Sequence, residues 1–145
     1  MKTLRLIGMA IIAVIMSVNF VACDDDEDSD NVSLIGKWKV DSRIEVENGV
    51  TTHYTYQDLI DDGSYPYLVF EEKDTYYIDV DGSIKEYSSS YTHDENLKVL
   101  TINHGSEYKY EVISLTKNKL ILRYYGVNGW GNPGNYSETY YVKVN

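Results

Sequence analysis

The stretch "LIGKWKVDSRIEVE", residues 34–47, governs how the rest of the chain reads. Trp38 and Val40 alternate with polar neighbours, and so do Ile44 and Val46. That two-residue period belongs to a strand with one buried face. An irregularity is expected between the two pairs. Downstream the pattern persists, and no long segment carries the 3.6-residue period of a helix. "GVTTHYTYQDL" (49–59) is β-branched and aromatic, as a second strand would be. "IDDGSYP" (60–66) is a loop, with Asp62-Gly63 and Pro66 as its breakers.

Further strands follow at short intervals. "YLVFEE" puts Leu68 and Phe70 on one face, and "TYYIDV" groups Tyr76, Ile78 and Val80. Asp81-Gly82 then reads as a tight hairpin turn. "SIKEYSSSYTHD" is a more polar strand, and "LKVLTIN" runs to a turn at His104-Gly105. "EYKYEVISL" places Tyr108, Tyr110 and Val112 together, "KLILRYYG" follows the turn "TKNK", and "YSETYYVKV" keeps Tyr140, Val142 and Val144 in phase. Eight or nine strands joined by short hairpins make sequential neighbours antiparallel. The expected fold class is therefore all-β, an antiparallel up-and-down β-barrel of about eight strands, with a two-sheet β-sandwich satisfying the same pattern.

Composition narrows the function classes. The chain has 145 residues, one domain's worth, and its hydrophobic content of 43% is enough for a packed core. A formal net charge of -10 argues against nucleic acid, which needs clustered Lys and Arg. The single cysteine excludes an internal disulfide framework.

That cysteine stands in "FVACDDDEDSD", residues 20–30, after a positively led apolar run: Lys2 and Arg5, then Leu6 to Phe20. A membrane-spanning helix and a plain secretory signal are the simpler readings of such a run. Small Ala22 before Cys23, with acids at once behind it, resembles the lipobox of bacterial lipoproteins. The resemblance implies cleavage before Cys23 and acylation of its thiol and new amino group. Acyl chains contribute about 0.8 kcal/mol per buried methylene, so more than one chain holds a protein stably on a bilayer. The expected partition is a signal peptide over 1–22, lipidated Cys23 with an acidic tether over 23–33, and a folded domain over 34–145. The tether repels itself and reaches roughly 30 Å at about 3.3 Å per residue. An acidic cluster at this place also resembles the lipoprotein export signal of Bacteroidetes, which implies the outer membrane, lipid-anchored and facing the exterior.

"LIGKWKV", with Gly36 two residues before Trp38, resembles the Gly-x-Trp signature of lipocalins. The layout after it, "YLVFEEKDTYYIDVDG" and "LTKNKLILRYY", resembles the small lipocalin-like domain of Bacteroidetes lipoproteins. In that family the Trp closes one barrel end under a late basic side chain, which implies Arg123 as the cation on Trp38. Ligand binding by such a barrel would favour a small hydrophobic molecule.

Candidate site residues are few. "GVNGWGNPGN", Gly126 to Asn135, surrounds Trp130 with glycines and asparagines that allow tight folding. Trp130, Asn128, Asn132 and neighbouring Tyr125 are the candidate binding residues, either as a platform for a glycan or protein partner or as a lid over one barrel end. Tyr54, Tyr56, Tyr65 and Tyr67 could extend such a surface, although cross-strand packing explains them equally. His53, His93 and His104 are isolated, the Ser run at 88–90 has no base pattern near it, and no phosphate-cradling loop appears. "DVDGS" (79–83) is accounted for by a hairpin turn and lacks the distal Glu of a calcium loop. No catalytic residue, metal or cofactor is assigned, and a non-enzymatic role is expected. Two classes of function stand: a barrel that holds a small hydrophobic ligand, and an accessory glycan- or protein-binding module with a filled barrel.

Overall fold

Nine strands and one short helix follow one another along the chain: β1 (Gly36–Glu47), β2 (Val50–Thr55), α1 (Tyr56–Asp61), β3 (Tyr67–Phe70), β4 (Asp74–Ile78), β5 (Ile84–Asp94), β6 (Val99–His104), β7 (Ser106–Leu115), β8 (Lys119–Tyr124) and β9 (Tyr136–Val144). The computed structural model describes residues 32–96, 98–126 and 134–145, and of residues 86–88 the backbone only. From β3 to β9 each strand pairs antiparallel with the next, as hairpin connections require. The ring closes where β9 returns to β1, from Lys37 opposite Val144 to Val46 opposite Tyr136. Eight strands thus form a closed antiparallel barrel, and the sandwich alternative falls because the ladder has no break.

The ninth strand is an extension. β1 pairs with β3 only over Gly36–Lys39, and β2 takes the same side over Ser42–Glu47. The segment expected to continue β2 turns helical instead at Tyr56. Its cause is local: Thr55 accepts from the Asp58 N–H while the Asp58 carboxylate accepts from the Thr55 N–H, a reciprocal capping box. Leu59 is buried beneath α1, and Ser64 donates back to the Leu59 carbonyl before the chain enters β3.

The irregularity expected in β1 is a bulge at Asp41. Val40 lies opposite Tyr141 and Ser42 opposite Tyr140, so Asp41 has no counterpart on β9. One extra residue reverses the side-chain alternation beyond it. Trp38 and Val40 face inward before the bulge. After it Arg43, opposite the buried Thr139, faces inward, and Ile44 and Val46 turn to the outer face. The apolar residues at 44 and 46 therefore do not continue the core stripe of 38 and 40.

One end of the barrel is filled. Trp38 is fully buried among Leu34, Leu68, Phe70, Leu100 and Leu120. Its indole N–H donates to the Leu34 carbonyl at 2.7 Å, which satisfies the single polar atom of the ring. The cation above it is Lys143, 5.0 Å from the ring centre, whose Nζ also donates to the Ser33 carbonyl. Lys143 faces Trp38 across the β1–β9 ladder and reaches the ring over Gly36. A Cβ at Gly36 would stand 2.7 Å from Lys143 Cε, and its φ of +135° is one that other residues rarely adopt. The Gly-x-Trp spacing thus has a mechanical reason, since the glycine leaves the path that the lysine uses.

Trp38→Ala is expected to cost about 3–5 kcal/mol in urea unfolding, since the hole lies under the whole closed end. Gly36→Ala should cost about 1–3 kcal/mol from backbone strain together with the Lys143 clash. Adding Lys143→Ala removes the clash alone, so the double variant should recover only part of the loss.

Candidate functional site

Towards the other end the barrel is hollow. A cavity of about 430 Å³ opens among side chains from the late part of β1, β4, β6 and β8 and the early part of β7 and β9. Its base is apolar, with Val40, Ile102 and Leu122 from the core. Tyr77, Tyr110 and Tyr141 pack on the same core and line the cavity as well, so they form its floor. The hydroxyls of Tyr77 and Tyr110 are hydrogen-bonded to each other. β5 and β6 separate their strands, so this bond crosses the interior instead of following a ladder.

Rings continue up the walls. Tyr65 packs on Tyr77 at 5.5 Å between centres, and Tyr124 packs on Tyr110 at 5.2 Å and on Tyr108 at 6.3 Å. Burial, with the neighbouring phenols of Tyr141 and Tyr124, pushes the Tyr110 hydroxyl well above the ordinary range. Burial pushes Tyr141 up to about 12, and it raises Tyr124 too. These groups are therefore neutral at physiological pH, available as donors and acceptors. The Tyr124 hydroxyl is buried without a hydrogen-bond partner among the described residues, a state that costs free energy until something supplies one.

Among the described residues, Arg43 is the one Lys or Arg whose side chain lines the cavity. Its Nε donates to Thr139 Oγ1 at 3.1 Å, and one terminal nitrogen stands 4.0 Å from a Glu45 carboxylate oxygen. No shorter bond occupies its terminal N–H groups among the described residues. His104, also on the lining, has its Nδ1 2.9 Å from Ser89 Oγ. The serine hydroxyl thus has a base beside it after all, brought there by the β5–β6 ladder across a separation of 15 residues. Ser89 is 4% exposed and does not line the cavity, so the contact satisfies two interior polar groups and presents no nucleophile to a ligand.

The residues singled out in the sequence are dispersed. Gly36 and Trp38 sit at the closed end, away from the cavity. Arg123 is not the cation on Trp38. It projects from the outer face, because its strand neighbour Leu122 takes the inward position opposite Thr139. There its Nε and a terminal nitrogen donate to Glu138 Oε2 at 2.9 and 2.7 Å, and it lies 4.4 Å from the Tyr136 ring centre. Tyr125 belongs to the same outer cluster, accepting from Arg123 and donating to Glu111. Tyr67 and Tyr56 lie under Lys37 and Lys39, while Tyr65 turns into the cavity. Asn128, Trp130, Asn132 and Cys23 lie outside the described residues.

The residues that do build the cavity were readable only in part. The Tyr108–Tyr110–Val112 face is visible as alternation, and it is the inward face. Arg43 is visible only to a reading that places the bulge at Asp41, and Thr139 and Tyr141 only once β9 is registered on β1. Among the described residues no group of acidic, His or Cys side chains is arranged to hold a metal ion.

A family model for a lipocalin-like domain matches residues 34–122, from the start of β1 into β8. The chain belongs to that family. No curated protein and no solved structure matches it.

Two outcomes follow from this geometry. Arg123→Met should cost about 1–3 kcal/mol, because it leaves the 9%-exposed Glu138 without its guanidinium, and it should leave the cavity intact. The raised Tyr141 pKa means that folding favours the neutral phenol. That contribution is whole below the ordinary value of 10.0 and is lost as pH rises towards about 12. Stability followed by circular dichroism should fall in this alkaline window, and Tyr141→Phe should make the fall shallower.

Proposed function

We propose that this member of the lipocalin-like family is a lipid-anchored binding protein that holds a small, largely apolar ligand in the open half of its barrel. The observation that carries the reading is the cavity of about 430 Å³. Small-molecule sites run from about 300 to 1,000 Å³, so this one fits a compact molecule better than a long acyl chain or a tetrapyrrole. Its base is apolar and its walls carry rings, as in such sites, while the exposed lining is more polar than apolar, which favours a ligand with a polar group of its own.

Its placement in the cell is part of the same proposal. Acylated Cys23 would hold the protein on the outer membrane, and the acidic run behind it would space the barrel from the bilayer and direct it outward. Among the described residues no helix is long and apolar enough to cross a membrane. The role is one of binding, without catalysis.

The accessory-module reading differs in where the ligand sits. Trp130 lies outside the described residues, between the end of β8 at Tyr124 and the start of β9 at Tyr136, and Tyr124 and Ser137 line the cavity. Just before β9, Asn135 accepts from the Asn48 N–H of the β1–β2 turn. Native mass spectrometry against fatty acids, bile acids, porphyrins and oligosaccharides separates the two. Retention of a compact apolar compound, weakened by Val40→Trp, is the expected result. Binding of sugars alone, untouched by that substitution, would favour the module.

The anchor is tested independently. The native chain should incorporate labelled palmitate and stay with the membrane fraction, and Cys23→Ala should abolish both. Uptake of label by the alanine variant would end the lipoprotein assignment.

A further inference from the structure

The protein holds two arginines on neighbouring positions of the β1–β9–β8 surface, and they differ in what surrounds them. Arg123, on the outside, is neutralised: Glu138 takes two of its donors and Glu111 lies 3.9 Å away. Arg43, on the inside, is bound through Nε to a neutral hydroxyl, and among the described residues its ion-pair partner, Glu45, stands 4.0 Å away. Lining a cavity floored by neutral phenols, it is a cation short of partners. The bulge at Asp41 is what turns it inward. Were Asp41 paired in regular register with β9, the inward positions would fall to Ser42 and Ile44, and Arg43 would face outward.

We propose that the cavity selects a compact, ring-bearing molecule carrying a carboxylate, with Arg43 pairing the anion and the Tyr124 hydroxyl supplying a second hydrogen bond. The assignment rests on the ligand-binding reading given above and narrows it to one chemical class. Guanidinium and carboxylate match as planar forks, and the terminal N–H groups of Arg43 are the ones such a fork uses. The Tyr124 hydroxyl is buried with no partner among the described residues, so with a small turn of its ring towards the cavity an oxygen of the ligand satisfies it at no cost to a bond seen there. Tyr65 and Tyr77 on one side, and Tyr108, Tyr110 and Tyr124 on the other, offer ring faces for the body of the molecule. β4 and β8 stand four strands apart in the eight-strand ring, so these faces belong to opposite walls.

The net charge of -10 does not oppose this. Exposed acids more than about 8 Å away are screened at physiological ionic strength. Glu45 is the exception, close enough to Arg43 to compete with a ligand carboxylate, and it sets how tightly an anion is held.

The test compares 2-naphthoate with 2-naphthamide, which share a ring system and differ in charge. Each is titrated calorimetrically into the full chain held in lipid nanodiscs, with empty nanodiscs as the blank. Naphthoate should bind about tenfold more tightly than the amide, as a charge-assisted pair would give. Arg43→Gln should remove that preference and leave amide binding within about twofold, while Glu45→Gln should tighten naphthoate several-fold with the amide unchanged. Tyr124→Phe should weaken naphthoate without lowering the unfolding midpoint, because the hydroxyl it removes has no partner among the described residues. Equal affinities for the two probes, or a preference that survives Arg43→Gln, would overturn the anion assignment and leave the cavity a neutral site. If neither probe binds but a neutral compound of the wider panel does, the anion assignment again falls alone. Silence from every compound would overturn the ligand-binding reading with it.

Discussion

The pairing of β9 with β1 is the constraint on which the rest depends. It closes the ladder of an otherwise open meander, so that among the described strands only β2, paired with β1 alone, keeps a free edge. Both ends of the barrel are built on this one seam. At the closed end it sets Lys143 opposite Trp38, and at the open end it sets Thr139 opposite Arg43. Between the two lies the bulge at Asp41, which lets a single pair of strands present an apolar plug at one end and a charged donor at the other.

The two halves differ because their inward residues differ in kind. Trp, Phe and Leu have little or nothing polar to satisfy, and they fill the closed end to leave Trp38 with no exposed surface. Tyrosine brings a ring of similar size but also a hydroxyl that must find a partner. The floor solves this through the Tyr77–Tyr110 bond across the interior, while Tyr124 is left without one among the described residues. A tyrosine-lined half cannot close as tightly as a leucine-lined one, and the space between its rings is the cavity. A count of inward Tyr and Leu therefore does not separate a filled barrel from a hollow one. Their distribution along the axis does.

The all-β class, the antiparallel order and the Gly36–Trp38 closure were legible, because alternation with period two, hairpin turns and a three-residue signature are local properties. α1 was legible in principle, through Thr55 and Asp58, but its six residues are too few to show a helical period against a β-branched background. The cation on Trp38 was not legible. Arg123 and Lys143 both lie on late strands, and only the register of β8 and β9 shows that one projects outward and the other lies over the ring. The same holds for the serine at 89, which acquires its histidine across the β5–β6 ladder.

By itself the sequence determined which segments become strands, where they turn, and which residue types are at hand to build an interior. Those are matters of neighbours along the chain, and the chain carries them in full. The tertiary structure decided which face of each strand looks inward. Inward facing depends on register between strands distant in sequence, and one unpaired residue, Asp41, is enough to invert it. Whether the barrel encloses space, and that Arg43 lines it, are consequences of that inversion and of rings meeting across the interior; the local pattern marks an irregularity in β1 but not the unpaired residue or the facing that follows.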